Sequence, residues 1–254
     1  MEMDEGKKTS ILGHLSELRH RLIKSVIAVL ITAIISFVFA KQIFYILILP
    51  TGGINLIYIE MTEMIGTYMK VCLASGIILA MPYLTYQVIM FVSPALTRKE
   101  KKYVYLILPW IALMFMGGVV FSYFILIPPA TKFLITFGSD IATPQIKIGN
   151  YISIVTRLLL AIGLVFEMPV VTTFLTKLGV ITPKWLAGKR KGAIIFAFIL
   201  AAIITPTFDP INQSLVAIPL IVLYEMSIWL AKLVHRKEPQ SVTSLSTPVT
   251  QGRD

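Results

Sequence analysis

The sequence predicts an all-α integral membrane protein with six transmembrane helices and both termini on the cytoplasmic side. Three observations carry that expectation. Of 254 residues, 56% are hydrophobic and 14% charged, with a mean hydropathy of +0.82, whereas a soluble domain is about 25% charged. The apolar residues fall into runs long enough to span lipid. The basic residues cluster between those runs and favour every second gap.

The same numbers exclude disorder for most of the chain, and a lone cysteine, Cys72, excludes a disulfide scaffold. The net charge of +10 and pI near 9.7 do not argue for nucleic acid, because the bases sit in short clusters between apolar runs.

The first span is expected at residues 22–40, with Lys24 near its start. The polar, mixed-charge residues 1–10 precede it and no small-residue cleavage site follows, so this helix is expected to stay in the protein. The second (71–92) and third (104–130) spans contain no charge. The fourth (151–176) carries Arg157 and Glu167, and the sixth (213–231) carries Glu225. The fifth, 192–205, reaches only ~21 Å at ~1.5 Å per residue, short of a ~30 Å hydrocarbon core. Either the bilayer thins there or the last two segments form a re-entrant pair, and both leave an even number of crossings. Residues 1–232 thus form one membrane domain, and the Ser-, Thr- and Pro-rich residues 233–254 a disordered cytoplasmic tail.

Eighteen of the 23 Lys and Arg lie at the N-terminus, after spans two and four, or in the tail. The positive-inside rule makes that side cytoplasmic. The opposite loops, 41–69 and 131–150, are too apolar to be plain linkers and are expected to pack as short helices or caps. No internal repeat stands out, which weighs against an inverted-repeat transporter.

Chemistry-bearing motifs are missing. There is no G-x-x-x-x-G-K-[ST] or H-E-x-x-H, and His14, His20 and His235 lie near the polar ends. No catalytic residue, metal or cofactor is expected.

Three polar features stand out. In His14–Leu22, Leu15, Leu18 and Leu22 repeat at helical spacing and Glu17 and Arg21 form an i, i+4 pair. This is an amphipathic helix leading into span one, acting either as a positive-inside anchor or as a groove in which Glu17 binds a cation. The loop 91–100 follows span two, which should end at Ser93 because Pro94 disfavours helix before it. Glu100 is its only acid among four bases, either paired locally or forming with Phe91 a spot for a peptide that carries guanidinium and apolar groups. Third, Glu167 lies ten residues before Lys177, or ~15 Å into the membrane. It should face protein or a water-filled cavity, beside a kink at Pro169. A protonated Glu167 bonded to a neighbouring helix is the plainer alternative. Glu225 has a similar but weaker claim, and Gln213 is a further intramembrane polar candidate.

On these residues the chain resembles the TatC family, the multispanning subunit of the twin-arginine protein translocase. The matching pieces are HLSELRHRL (14–22), YQVIMFVSPALTRKE (86–100), FSYFILIPPATKFL (121–134), YISIV (151–155) with GLVFEMP (163–169), and TPTFDPINQSLVAIPLIVLYE (205–225). They stand in the family's order over about residues 11–232. The TPTFDP turn, with Asp209, differs from the commoner TPPD by one inserted residue.

The resemblance implies a glove-like bundle in the cytoplasmic (inner) membrane that recognises paired-arginine signal peptides on folded cargo. Glu17 and Glu100 would bind the two guanidinium groups, and Arg19, Phe91, Pro94 and Leu96 would shape the patch. Glu167 would face the concave side. TatA-type and possibly TatB-type single-span partners are implied, with transport driven by the proton gradient, and self-association is expected. The competing readings are an ion-coupled small-solute transporter with Glu167, Arg157 and Glu225 as relay, and a passive assembly scaffold.

Overall fold

Lipid offers no partner to a backbone N–H or C=O, so a spanning chain must satisfy its own. The structure is a computed structural model. It describes residues 2–92, 98–137, 139–141, 143–205 and 209–234, with 2–12, 14, 92 and 98–106 described as helical backbone. Among these residues every named element is a helix, and the sole extended pairing is one bridge between Ile57 and Lys147.

In chain order the helices are α1 (Glu2–Val38), α2 (Ala40–Ile48), α3 (Glu63–Val92), α4 (Arg98–Phe121), α5 (Ile127–Thr136) and α6 (Ile148–Phe166). Then follow α7 (Met168–Lys177), α8 (Pro183–Gly188), α9 (Arg190–Ile204) and α10 (Pro210–Val234). Five stretches are long and apolar enough to cross a membrane: Leu15–Val38, Glu63–Phe91, Ile107–Thr136, Ile148–Lys177 and Pro210–Val234. They coincide with the first, second, third, fourth and sixth expected spans. The fifth corresponds to α9, whose 15 residues reach only ~22 Å.

Boundaries move where a partner elsewhere in the chain extends a helix. The amphipathic segment and first span are one unbroken α1 of 37 residues. The third span runs past Ala130 because α4 passes through a π-helical turn, Ser122–Leu126, into α5. Pro128 and Pro129 lack N–H groups, so the carbonyls four residues before them lose their α-helical partners. The widened turn absorbs the mismatch, with the Ile127 N–H donating to the Ser122 carbonyl. The kink expected near Pro169 is present as a turn at Glu167, which separates α6 from α7.

Contacts between helices fix the topology. On α1 and α3 the Arg21 guanidinium reaches Gln87, and Thr32 donates to the Gly76 carbonyl at 2.8 Å, so these helices are antiparallel. Lys70 donates to Ser153 and Gly149 to Glu63, so α3 and α6 run parallel. Arg190 meets Glu225 and Gln213 meets Phe198, so α9 and α10 are antiparallel. The start of α1 and the end of α10 therefore share one face, called near below.

Close packing holds these helices together. A Cβ at Gly76 would lie 2.8 Å from the Ala33 backbone, and one at Gly118 would lie 2.8 Å from the Gly163 Cα. Small residues let backbones approach where lipid supplies no hydrophobic drive between helices. Helix α6 is the pillar: Ile152, Val155, Leu158, Leu159 and Ile162 are buried against α3, α4, α9 and α10.

The far end is capped as the two apolar loops suggested. Carbonyls in the last turn of α2 lack intrahelical partners. Tyr123 donates to the Ile46 carbonyl at 2.7 Å and Tyr151 to the Leu47 carbonyl at 2.9 Å. Glu63 accepts from the Ile59 N–H and from the Gly149 N–H at the start of α6, joining both loops to the helix bundle. Its carboxylate also complements the positive end of the α6 dipole. The expected disordered tail, 233–254, falls almost wholly outside the described residues.

Adjacent glycines on α4 test the packing. Gly118→Ala forces α4 from α6 and is expected to cost about 1–3 kcal/mol, while a Cβ at Gly117 meets nothing within 4 Å. Thermal unfolding in detergent should show a lowered midpoint for G118A and an unchanged one for G117A.

Candidate functional site

The near face brings the polar ends of α1 and α3 together. Glu17 and Arg21 pair as their spacing implies, with Nε at 3.0 Å from Oε1. The same guanidinium reaches across to Gln87 Oε1 at 3.3 Å, and Gln87 Nε2 in turn donates to the Tyr83 hydroxyl. Gln87 is buried and Phe91, one turn further along α3, is half-buried. Both contacts to Glu17 use Oε1, so Oε2 accepts no bond among the described residues. Arg19, Leu15, Leu18 and Leu22 are exposed, so the apolar stripe of α1 is uncovered by the described residues.

Of the other near-face candidates, Glu100 lies in the first turn of α4, its side chain outside the described residues, and Pro94 and Leu96 also fall outside them. Gln87 and Tyr83 were not singled out from sequence. A neutral amide near the end of an apolar run carries no signal until α1 is laid beside it.

The second polar feature lies deeper. A cavity of about 390 Å³ between α3, α4 and the α6–α7 turn contains Glu167 among Met81, Leu84, Ile111 and Val171. Glu167 is buried, and its Oε1 has no hydrogen-bond partner among the described residues, while Thr85 contacts the same carboxyl. Thr85, on the same cavity wall, uses its hydroxyl on the Met81 carbonyl. A carboxylate in such a place is poorly solvated and suits a ligand or partner that brings a donor. The break at Glu167 is what aims it there: Pro169 sits in the first turn of α7 and the Glu167 N–H bonds back to Leu164 instead of Gly163.

The third set staples α9 to α10. Glu225 forms a two-pronged pair with Arg190, at 2.7 and 3.0 Å, both side chains about half exposed. Toward the far end Gln213 Nε2 donates to the Phe198 carbonyl at 2.9 Å. Both intramembrane candidates in this hairpin therefore have partners inside the chain. Asp209 caps α10, accepting from the Asn212 N–H at 2.7 Å. The relay imagined for an ion-coupled transporter is not assembled: Glu167 lines one cavity, Arg157 lines a separate notch beside α9, and Glu225 is held by Arg190. Among the described residues no group of three or more His, Cys, Asp or Glu could hold a metal ion.

A helical bundle with five stretches long and apolar enough to cross a membrane defines a multi-pass membrane protein. The family model for the Sec-independent protein translocase protein (TatC) matches residues 13–219. The chain belongs to the TatC family and is a component of the Sec-independent protein translocase. It is 42% identical over 236 residues to the TatC protein of Carboxydothermus hydrogenoformans, covering 92% of this chain and 97% of that one. It is 46% identical over 233 residues to that of Aquifex aeolicus, covering 89% and 96%. Among solved structures it matches the crystal structure of the twin arginine translocase receptor TatC, at 46% identity and a TM-score of 0.79, covering 88% of this chain and 100% of that one.

The orphaned oxygen of Glu167 makes a stability prediction. Glu167→Leu removes a desolvated polar group at the cost only of its contact with Thr85, so the unfolding midpoint should rise, equivalent to about 1 kcal/mol. A fall would mean that the carboxylate is satisfied in the folded protein.

Proposed function

We propose that this TatC-family protein recognises paired-arginine signal peptides of folded precursors at its near face, which is the cytoplasmic side of the cell membrane. In this reading the chain crosses the membrane six times, with α9 as a short fifth crossing, both termini inside, and a free tail beyond residue 232. Eighteen of 23 bases on that side support the orientation.

Glu17 and Glu100 hold the two guanidinium groups, and Arg19, Phe91, Pro94 and Leu96 line the patch. The observation that carries the reading is Glu17 itself, with one oxygen on Arg21 and the other open, among the described residues, beside the exposed leucines of α1. Arginine suits such a site because its planar fork binds a carboxylate bidentately and remains charged. The apolar cavity at Glu167 would receive hydrophobic helix from the signal peptide or a partner subunit. The solved relative's description as a twin arginine translocase receptor supports the same assignment.

TatA-type and possibly TatB-type single-span subunits, and further copies of this chain, complete the machine, with the proton motive force driving transport. The chain itself offers recognition and a nucleus for assembly. A six-span bundle of this size leaves no lumen for a folded protein.

The test is affinity of the full chain in nanodiscs for a labelled paired-arginine peptide. Glu17→Ala and Glu100→Ala should each weaken binding by roughly thirtyfold, on the order of 2 kcal/mol for a charge-assisted contact. A paired-lysine peptide should bind the unaltered protein less well. Equal binding of both peptides to all three proteins would remove the proposal.

A further inference from the structure

Lys70 is a cation inside a membrane span, seven positions after the start of α3 and ~10 Å below the far end of that helix. It reaches across to α6 and donates to Ser153 Oγ at 3.0 Å. The Ser153 hydroxyl donates in turn to the Gly149 carbonyl at 2.6 Å, so toward Lys70 it can only accept. An ammonium carries three N–H donors. Two are unspent among the described residues, and no carboxylate there pairs with it.

The Lys70–Ser153 bridge closes one end of a groove. Helices α3 and α6 touch at the far end through Glu63–Gly149 and Lys70–Ser153. Toward the near end they part around the 390 Å³ cavity, which is backed by Ile107 and Ile111 of α4. On α3, Lys70, Leu73, Ile77, Met81, Leu84 and Val88 repeat at three- and four-residue spacing, so they share one face. Met81, Leu84 and Val88 line the cavity, and Leu73 and Val88 are exposed. The groove therefore runs up α3 from the near face and ends under a cation. From Gln87, which meets Arg21 at the near patch, to Lys70 is 17 residues of helix, ~25 Å.

We propose that Lys70 receives the C-terminal end of the apolar helix of a bound leader and holds its last carbonyls, an inference that rests on the near-face reading above. A leader whose arginines stay at Glu17 and Glu100 runs from near to far, and about 17 helical residues bring its end level with Lys70. The last four carbonyls of a helix have no partner within it and carry its negative pole. Hydrocarbon offers them no donor, and the two open N–H groups of Lys70 do. A helix running the opposite way would bring its N–H groups and positive pole to the ammonium and be repelled. Lys70 is thus a positioning residue that selects the direction and reach of the apolar segment, separate from the carboxylates that read the arginines.

The experiment measures affinity of the full chain in nanodiscs for two labelled paired-arginine peptides. One carries about 17 apolar residues after the arginines and the other about eight, which reach only ~12 Å. Lys70→Met should weaken binding of the long peptide about tenfold and leave the short one unchanged, and Lys70→Arg should restore the long one. Equal loss for both peptides, or none for either while Glu17→Ala still weakens both, overturns the role of Lys70 and leaves the near-face reading standing. Binding indifferent to Glu17 removes that reading and this inference with it. If K70M unfolds, a photo-crosslinking amino acid in place of exposed Leu73 supplies the comparison in a protein that keeps Lys70. It should label the far end of the long peptide's apolar segment, and labelling next to the arginines would overturn the proposal.

Discussion

Helices already in lipid gain nothing hydrophobic by touching each other, so this fold depends on how closely their backbones can approach. Gly76 lets α1 and α3 meet at Ala33, and Gly118 and Gly163 let α4 and α6 meet. With α6 fixed as the pillar, its consequences follow along the helix. Its first turn receives Glu63, its middle presents Arg157 beside α9, and its last turn breaks at Glu167 to aim a carboxylate into the α3–α4 cavity. A wider separation would leave each polar group without the wall that gives it meaning.

The same constraint divides the molecule by face. At the far end the loops after α2 and α5 are tied down: tyrosines cap α2, Glu63 clamps the first loop to α6, and Ile57 pairs with residues 146 and 148. At the near end, α1 extends beyond its packing on α3 with its leucines and one oxygen of Glu17 uncovered by the described residues. A tied-down far end and an α1 uncovered by the described residues suit the proposed receipt of a polypeptide from one side.

Much of this was legible in sequence because the signals were local. The Glu17–Arg21 pair follows from i, i+4 spacing, the break at Glu167 from Pro169, and the short α9 from counting apolar residues. The rest was hidden because it joins residues far apart in the chain. Gln87 is 66 positions from Arg21, and Tyr151 is 104 from Leu47. Nothing near either marks it as more than a polar group in an apolar run. Glu225 read as an isolated intramembrane acid because Arg190 lies on another helix, and the third span read only to Ala130, whereas the helix continues through a π-turn to Thr136.

The central claim is that the near-face carboxylates of α1 and α4 are where a doubly charged leader first touches this protein. A photo-crosslinking amino acid placed at position 100, in membranes carrying the assembled translocase, reads that contact directly. The account predicts a crosslink to the residues flanking the paired arginines of a precursor, lost when both arginines are replaced by lysine. Labelling spread evenly along the precursor, or undiminished for the lysine form, would contradict it.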